Sequence, residues 1–287
     1  MKIIVTGSNG QLGNELRLLA PYYPDFNFIF TDVAELDITR ETDVDLFVKT
    51  EHPAVIINCA AYTAVDKAET EPHAAFLINT TAVGILARVA SQYNALLVHL
   101  STDYVFDGTA CMPYRENDRT NPVSVYAKSK NGGELQVQSF SKNALVIRTA
   151  WLYSEFGNNF VKTMIKLGKE RGRLNVVCDQ VGTPTYARDL AKAILAMLRS
   201  GQEIKGVDLF HYANEGAASW YDFAKAIIGF SGINCIINPI ETKDYPTPAT
   251  RPCYSIFNKA KIKQRFGMEI PFWQDSLRDC VARIRGT

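Results

Sequence analysis

The chain has 287 residues, 47% apolar and 21% charged, with 31 basic and 30 acidic side chains for a formal net charge of +1. A chain of this length makes one large domain or two modest ones around a sizeable core, which excludes disorder as the dominant state. The near-neutral balance excludes a global basic field, so neither nucleic acid nor a membrane surface is expected as a partner, and any anionic ligand must be held by local groups.

Residues 2–6 read as a short apolar strand. Residues 11–20 read as a helix with Leu12, Leu16 and Leu19 on one face, stopped by Pro21. A second strand follows at 27–31, a helix at 42–50 with Val44, Phe47 and Val48 in phase, and a third strand at 55–58. The long helix predicted over 71–93 buries Ala75, Ile78, Ala82, Ile85, Leu86 and Val89. Strand 96–100, helix 124–140 and strand 145–148 come next. After Trp151 the alternation loosens. Helix 159–171, strand 174–177, amphipathic helix 188–199 and strand 209–213 precede a helix over 220–230, opened by Ser219 with Asp222. A β-rich run at 233–240, an irregular stretch with Pro246, Pro248 and Pro252, and a helix from Trp273 close the chain.

The first strands are continuous apolar runs, as required where helices cover both faces of a sheet. Strand–helix alternation with short connections therefore predicts an α/β fold with a doubly wound parallel Rossmann sheet and a smaller mixed α/β substrate lobe. The predicted division is a nucleotide-binding domain over 1–150, to which 186–213 returns, and a substrate-binding lobe made of 151–185 and 214–287. No apolar run approaches the ~20 residues of a membrane span. The apolar start is too short for a signal peptide. The six cysteines form no CxxC pair and the four histidines have no metal-ligand spacing. Reduced thiols, a cytoplasmic location and no metal are expected.

The segment Gly7-Ser8-Asn9-Gly10-Gln11-Leu12-Gly13 links the first strand to the first helix. Glycines at this spacing suit a tight turn and close backbone approach to a pyrophosphate, with the helix N-terminus supplying free N–H groups. Asp32 ends the second strand, where a carboxylate accepts hydrogen bonds from a ribose diol and repels a 2′-phosphate. NADH is favoured over NADPH on that ground. Asp37 and Ile38 fall beside the adenine, and the small residues of Ala60-Ala61-Tyr62-Thr63 let a cofactor lie against the backbone.

Thr102 and Asp103 follow the fourth strand, at the end of an open α/β sheet where ligands sit. Tyr126 and Lys130 are one helical turn apart and share a face. An ammonium beside a phenol is expected to lower the phenol's pKa from ~10 toward neutrality. That predicts carbonyl reduction, with hydride from a nicotinamide, a proton from Tyr126, and Thr102 holding the same oxygen.

These motifs together resemble the extended short-chain dehydrogenase/reductase family. Within it, the chain is similar over nearly its whole length to the reductases of nucleotide-linked 4-keto-6-deoxy sugars. The likeness is carried by the glycine loop, by Ala60-Ala61-Tyr62-Thr63-Ala64-Val65-Asp66-Lys67-Ala68-Glu69 and by Ser101-Thr102-Asp103-Tyr104-Val105-Phe106. It continues through Arg148-Thr149-Ala150-Trp151-Leu152-Tyr153, Gly157-Asn158-Asn159-Phe160, Asp179-Gln180-Val181-Gly182-Thr183-Pro184-Thr185 and Tyr245-Pro246-Thr247-Pro248-Ala249-Thr250-Arg251-Pro252.

The resemblance implies reduction of the C4 ketone of dTDP-6-deoxy-L-lyxo-4-hexulose, giving dTDP-L-rhamnose. By position it places Gly10, Gln11, Leu12, Asp32, Asp37, Ile38, Ala61, Tyr62 and Thr63 on the cofactor. It places Tyr126 and Lys130 at the reaction, Thr102, Asp103 and Trp151 on the sugar, and Arg251 toward the diphosphate. Some members bridge a dimer with a metal through a Glu of the first helix and acidic residues after the Gly-x-Pro-Thr segment. Glu15 is present here, but Arg188 stands at an acidic position. No bridging metal is expected, and the chain is read as a monomer or a differently built homodimer. One alternative is the same reduction on another nucleotide 4-keto-6-deoxy sugar, and three others change the chemistry. A dehydratase is disfavoured because Thr102-Asp103-Tyr104 replaces Thr-Asp-Glu. A 4-epimerase would hold its cofactor without exchange, and a non-catalytic NADP-binding regulatory subunit has no need of Thr102, Tyr126 and Lys130.

Overall fold

The computed structural model describes residues 1–286. Its principal strands are β1 (Lys2–Thr6), β2 (Asn27–Phe30), β3 (Val55–Asn58), β4 (Leu96–Thr102), β5 (Asn143–Thr149), β6 (Arg173–Val177), β7 (Gly206–His211) and β8 (Ile236–Ile240). Its principal helices are α1 (Gln11–Leu19), α2 (Glu41–Glu51), α3 (Pro72–Gln92), α4 (Val125–Phe140), α5 (Phe160–Arg171), α6 (Ala187–Arg199), α7 (Trp220–Ser231) and α8 (Trp273–Gly286).

Six strands form one all-parallel sheet in the order β7-β5-β4-β3-β1-β2. The chain first moves outward from β1 to β2, then returns to place β3 on the other side. The order therefore reverses between β1 and β3, and a crevice opens outside their C-terminal ends, the usual ligand position in such sheets. Successive side chains of a strand face opposite ways. Ile3 and Val5 thus join one core with Leu12 and Leu16 of α1 and Leu190 and Ile194 of α6. Ile4 joins the other, with Val44 and Val48 of α2, Leu86 and Val89 of α3 and Val137 of α4. The doubly wound Rossmann sheet predicted from the continuous apolar runs is the one observed.

A third core lies apart from the sheet, where β6 pairs with β8 and helices α5, α7 and α8 pack around Tyr153, Phe223, Ile227, Trp273 and Leu277. Ser219 and Asp222 form a reciprocal capping box at the start of α7. This fixes α7's first residue, Trp220, at the boundary between the third core and the crevice.

Some elements differ from the sequence reading. Pro21 does not stop the first helix outright, because Ala20–Tyr22 continue it as a 3-10 turn. The predicted long helix contains a π turn at Leu77–Thr81. By length and composition α3 could also cross a membrane, but 61% of that stretch is buried here, so it is a core helix. The short helices Val65–Ala68 and Ala260–Phe266 went unread, being too brief to show a period.

Glu15 of α1 is fully buried and lies 3.7 Å from Arg188 of α6. Glu155 approaches it from the other side, held by the Tyr186 hydroxyl, which donates at 3.0 and 2.9 Å. Among the described residues, no group of three or more His, Cys, Asp or Glu side chains is arranged to hold a metal. Burial first, and then Glu155, push the Glu15 carboxyl up to about 8. The folded chain therefore keeps a proton that the unfolded chain has released above about 4.5, and stability falls as pH rises through that window. Thermal unfolding of Glu15→Gln across pH 5 to 8 is expected to show a flatter decline than the parent. An identical slope would show that Glu15 does not titrate in this range.

Candidate functional site

The turn after β1 is built by two glycines that tolerate no side chain. Gly7 has φ +62°, and a Cβ on it would lie 2.5 Å from the Ala60 nitrogen. A Cβ on Gly13 would lie 2.5 Å from Ser8 Cα. The first glycine lets β1 and β3 approach, and the second seats α1 on its own loop. Gly10 is the N-cap of α1 and no side chain caps it, so the helix's first N–H groups are free for an anion.

This loop edges a cavity of about 320 Å³, lined also by Asp32, Asp37, Ile38, Ala60 and Ala61. The Asp32 carboxylate accepts from the Asn9 N–H at 2.9 Å, which fixes it beside the glycine turn. Asp37 is held by the Thr39 hydroxyl and N–H at 2.7 and 3.0 Å, and these bonds keep its carboxyl below the usual range. A second cavity of about 610 Å³ shares Gly10, Cys59, Ala60 and Ala61 with the first. Gln11, Leu12, Thr63, Thr102, Asp103, Tyr126, Lys130, Trp151 and Trp220 line it. The two form one trough across the sheet's reversal point. Its size suits a small-molecule ligand, and its free helix N–H groups and small-residue floor fit a dinucleotide.

Tyr126 and Lys130 project from one face of α4 toward the end of β4. The Lys130 ammonium donates to the Leu100 carbonyl at 2.6 Å. Burial lowers Lys130 to about 8, against the pull of Glu134. The expectation that this ammonium would lower the Tyr126 phenol is not met. Burial pushes Tyr126 up to about 12, opposed by its hydrogen bond with Thr102 and reinforced by Asp103. The lysine spends its charge on the strand carbonyl, and Tyr126 remains a neutral phenol at physiological pH. Thr102 donates to Asp103 Oδ1 at 3.0 Å. Asp103 is raised to about 6 by burial, opposed by hydrogen bonding from the Ser255 and Thr102 side chains.

Trp151 lies on the crevice wall with φ +47°, an unusual conformation for a bulky residue and a mark of local strain. Its ring stacks on Trp220 at 3.6 Å between centroids, and the pair forms an aromatic wall. Three predicted site residues lie outside the cavity lining. Gly13 serves the loop's packing. The Tyr62 hydroxyl donates to Glu71 at 2.8 Å, and its ring packs with Ala68, Ala75 and Tyr126. Arg251 grips Asp66 through both carboxylate oxygens at 3.0 and 2.7 Å, so it faces the short helix Val65–Ala68 and not open crevice.

The sequence reading missed Trp220, taken only as a helix start. It also missed Asn79, whose amide clamps the Tyr62 backbone at 2.9 and 3.0 Å and donates to Ser129 at 3.0 Å. A polar residue amid an apolar helical face was the available signal for Asn79.

Comparison with known proteins places the whole chain in one family. A family profile described as "RmlD substrate binding domain" matches residues 1–285. The dTDP-4-dehydrorhamnose reductase of Sinorhizobium fredii is 40% identical, over 98% of this chain and 97% of that protein. A dTDP-4-dehydrorhamnose reductase crystal structure from Clostridium acetobutylicum superposes with a TM-score of 0.94 at 42% identity, covering 99% of this chain and 100% of that one. Another, from Bacillus anthracis in complex with NADP, gives 0.93 at 37%, covering 98% and 99%. With a family profile matching residues 1–285 and full-length similarity to these reductases, the chain belongs to the dTDP-4-dehydrorhamnose reductase family.

Proposed function

We propose that the protein reduces the C4 ketone of dTDP-4-dehydro-L-rhamnose to dTDP-L-rhamnose, with NADH or NADPH as the reductant. The observation that carries this reading is the convergence of Thr102, Tyr126 and Lys130 in a cavity continuous with the glycine-loop crevice. Gly7, Gly10, Gln11 and Leu12 would hold the pyrophosphate, Asp32 the adenosine ribose, Asp37 and Ile38 the adenine, and Ala61, Thr63 and Lys130 the nicotinamide half. A reduced nicotinamide bound there supplies the hydride to the sugar's C4.

Tyr126 is the proton donor. Its phenol, kept neutral by burial, carries the proton that the C4 oxygen takes as the carbonyl becomes an alcohol. Thr102 hydrogen-bonds at the same place and orients that oxygen. Asp103, which lines the same cavity, would bind the sugar. Trp151, stacked on Trp220, gives the apolar face of the pyranose a flat wall. Arg251 reaches the diphosphate by exchanging its carboxylate partner, Asp66, for phosphate oxygens, the same bidentate chemistry. In this reading, residues 1–150 with 186–213 bind the nucleotide cofactor, and 151–185 with 214–287 bind the sugar nucleotide. The chain works as a monomer or homodimer. Its six free cysteines suit the reducing cytosol.

Asp32 favours NADH. Arg17, which donates to Ser8 of the glycine loop at 3.0 Å, is the type of group a 2′-phosphate uses. Measuring kcat/KM for both cofactors decides between them, and Asp32→Ala is expected to move preference toward NADPH. An unchanged ratio would remove Asp32 from the ribose site.

The reaction itself is tested by following nicotinamide absorbance with enzymatically made dTDP-4-keto-L-rhamnose and identifying the product by NMR. Tyr126→Phe is expected to lower turnover by about 10²–10⁴-fold while still binding cofactor; full activity would exclude Tyr126 as donor. Trp151→Ala is expected to raise KM for the sugar nucleotide more than for the cofactor. The opposite pattern would assign Trp151 to packing alone.

A further inference from the structure

We propose that Glu134 is a positioning residue of this reaction: clamped by Arg148, its carboxylate ties the end of β4 to α4 and sets Thr102 against Tyr126 and Lys130. The inference rests on the reading of those three residues given above.

Tyr126, Lys130 and Glu134 recur every four residues and so form one stripe on α4. Glu134 is 2% exposed and does not line the crevice. Its Oε1 accepts from the Ser101 hydroxyl at 2.5 Å and from Arg148 Nε at 2.8 Å, and its Oε2 accepts from Arg148 Nη2 at 2.7 Å. Ser101 is the residue before Thr102, and the register of β4 on β5 sets Ser101 opposite Arg148. One carboxylate therefore fastens two neighbouring strands and the helix at the level just beneath the reacting groups. The guanidinium's remaining donors face the Glu116 carbonyl and His211 Nε2, both at 3.4 Å, and its plane lies 5.0 Å over Phe106.

A buried ion pair is on average no more stabilising than apolar side chains of the same volume. Stability alone therefore gives no reason for charges here. What apolar side chains lack is direction. A fork of two parallel hydrogen bonds fixes both distance and angle, and displacement of a catalytic group by about 1 Å costs as much as ~100-fold in rate. Glu134 also acts on the charge of Lys130, opposing the effect of burial. The other groups facing that ammonium are Tyr126 on its own helix, the Leu100 carbonyl and His99 ring on β4, and Arg148 of β5 behind Glu134.

The test compares Glu134→Gln, Ser101→Ala and the double variant Glu134→Gln/Arg148→Met with the parent in kcat, KM, Tm and the pH profile of kcat. Glu134→Gln strands a buried guanidinium and loses stability; the double variant removes that charge and recovers Tm. Positioning predicts that kcat stays down about 10–100-fold in both, with KM for the sugar little changed and the alkaline limb moved to lower pH. Recovery of kcat together with Tm in the double variant overturns the proposal. If neither Glu134 variant folds, Ser101→Ala decides: a lowered kcat supports the tether and an unchanged kcat overturns it. A parent enzyme inactive on the sugar refutes the functional reading instead. The positioning claim is then read from an NMR titration of Lys130, whose midpoint must fall in Glu134→Gln; an unmoved midpoint overturns it.

Discussion

A buried ammonium must find acceptors, and Lys130 finds its own in the carbonyl of Leu100, on the strand whose next residues are Ser101 and Thr102. This contact makes β4 and α4 one unit. The strand presents Thr102 and Asp103, the helix presents Tyr126, and the lysine between them is 3% exposed. Leaving that charge without a partner would cost several kcal/mol, so the pairing of strand and helix is not negotiable for the fold.

The remaining architecture builds the trough around that unit. The order of the sheet reverses between β1 and β3, and there the glycine turn and Ala60 leave room for a dinucleotide. The third core, assembled from β6, β8 and helices α5, α7 and α8, brings its own wall to the crevice in Trp220. Trp151 meets it there, at the cost of a strained backbone. A strap of chain ending in Arg251 reaches across to Asp66 on the short helix beside Tyr126, and Arg251 holds that carboxyl below its usual range. The walls of the trough are joined through side chains far apart in sequence.

Much of this was legible in the chain. Continuous apolar runs such as 55–57 announced a sheet covered on both faces, and the glycine spacing and the Tyr126–Lys130 interval announced a tight turn at a helix start and two side chains on one helix face. These are local signals, each carried within one strand, one turn or one helical repeat. The electrostatics were not legible. A phenol four residues from a lysine reads as a phenol with a lowered pKa, yet burial raises Tyr126 instead. Nor does the sequence show which carboxylate Arg251 meets: Asp66, 185 residues earlier, pairs with it at 2.7 Å.

The sequence alone determined most of the strands and long helices, where an anion can meet a helix N-terminus, and which side chains share a face, because periodicity and turn chemistry act over a few residues. Only the tertiary structure decided which charges are paired, how deeply each group is withdrawn from water, and that Trp151 stacks on Trp220 or Glu134 clasps Ser101 and Arg148. Those outcomes depend on desolvation and on contacts between residues that are distant along the chain, and no local pattern encodes either.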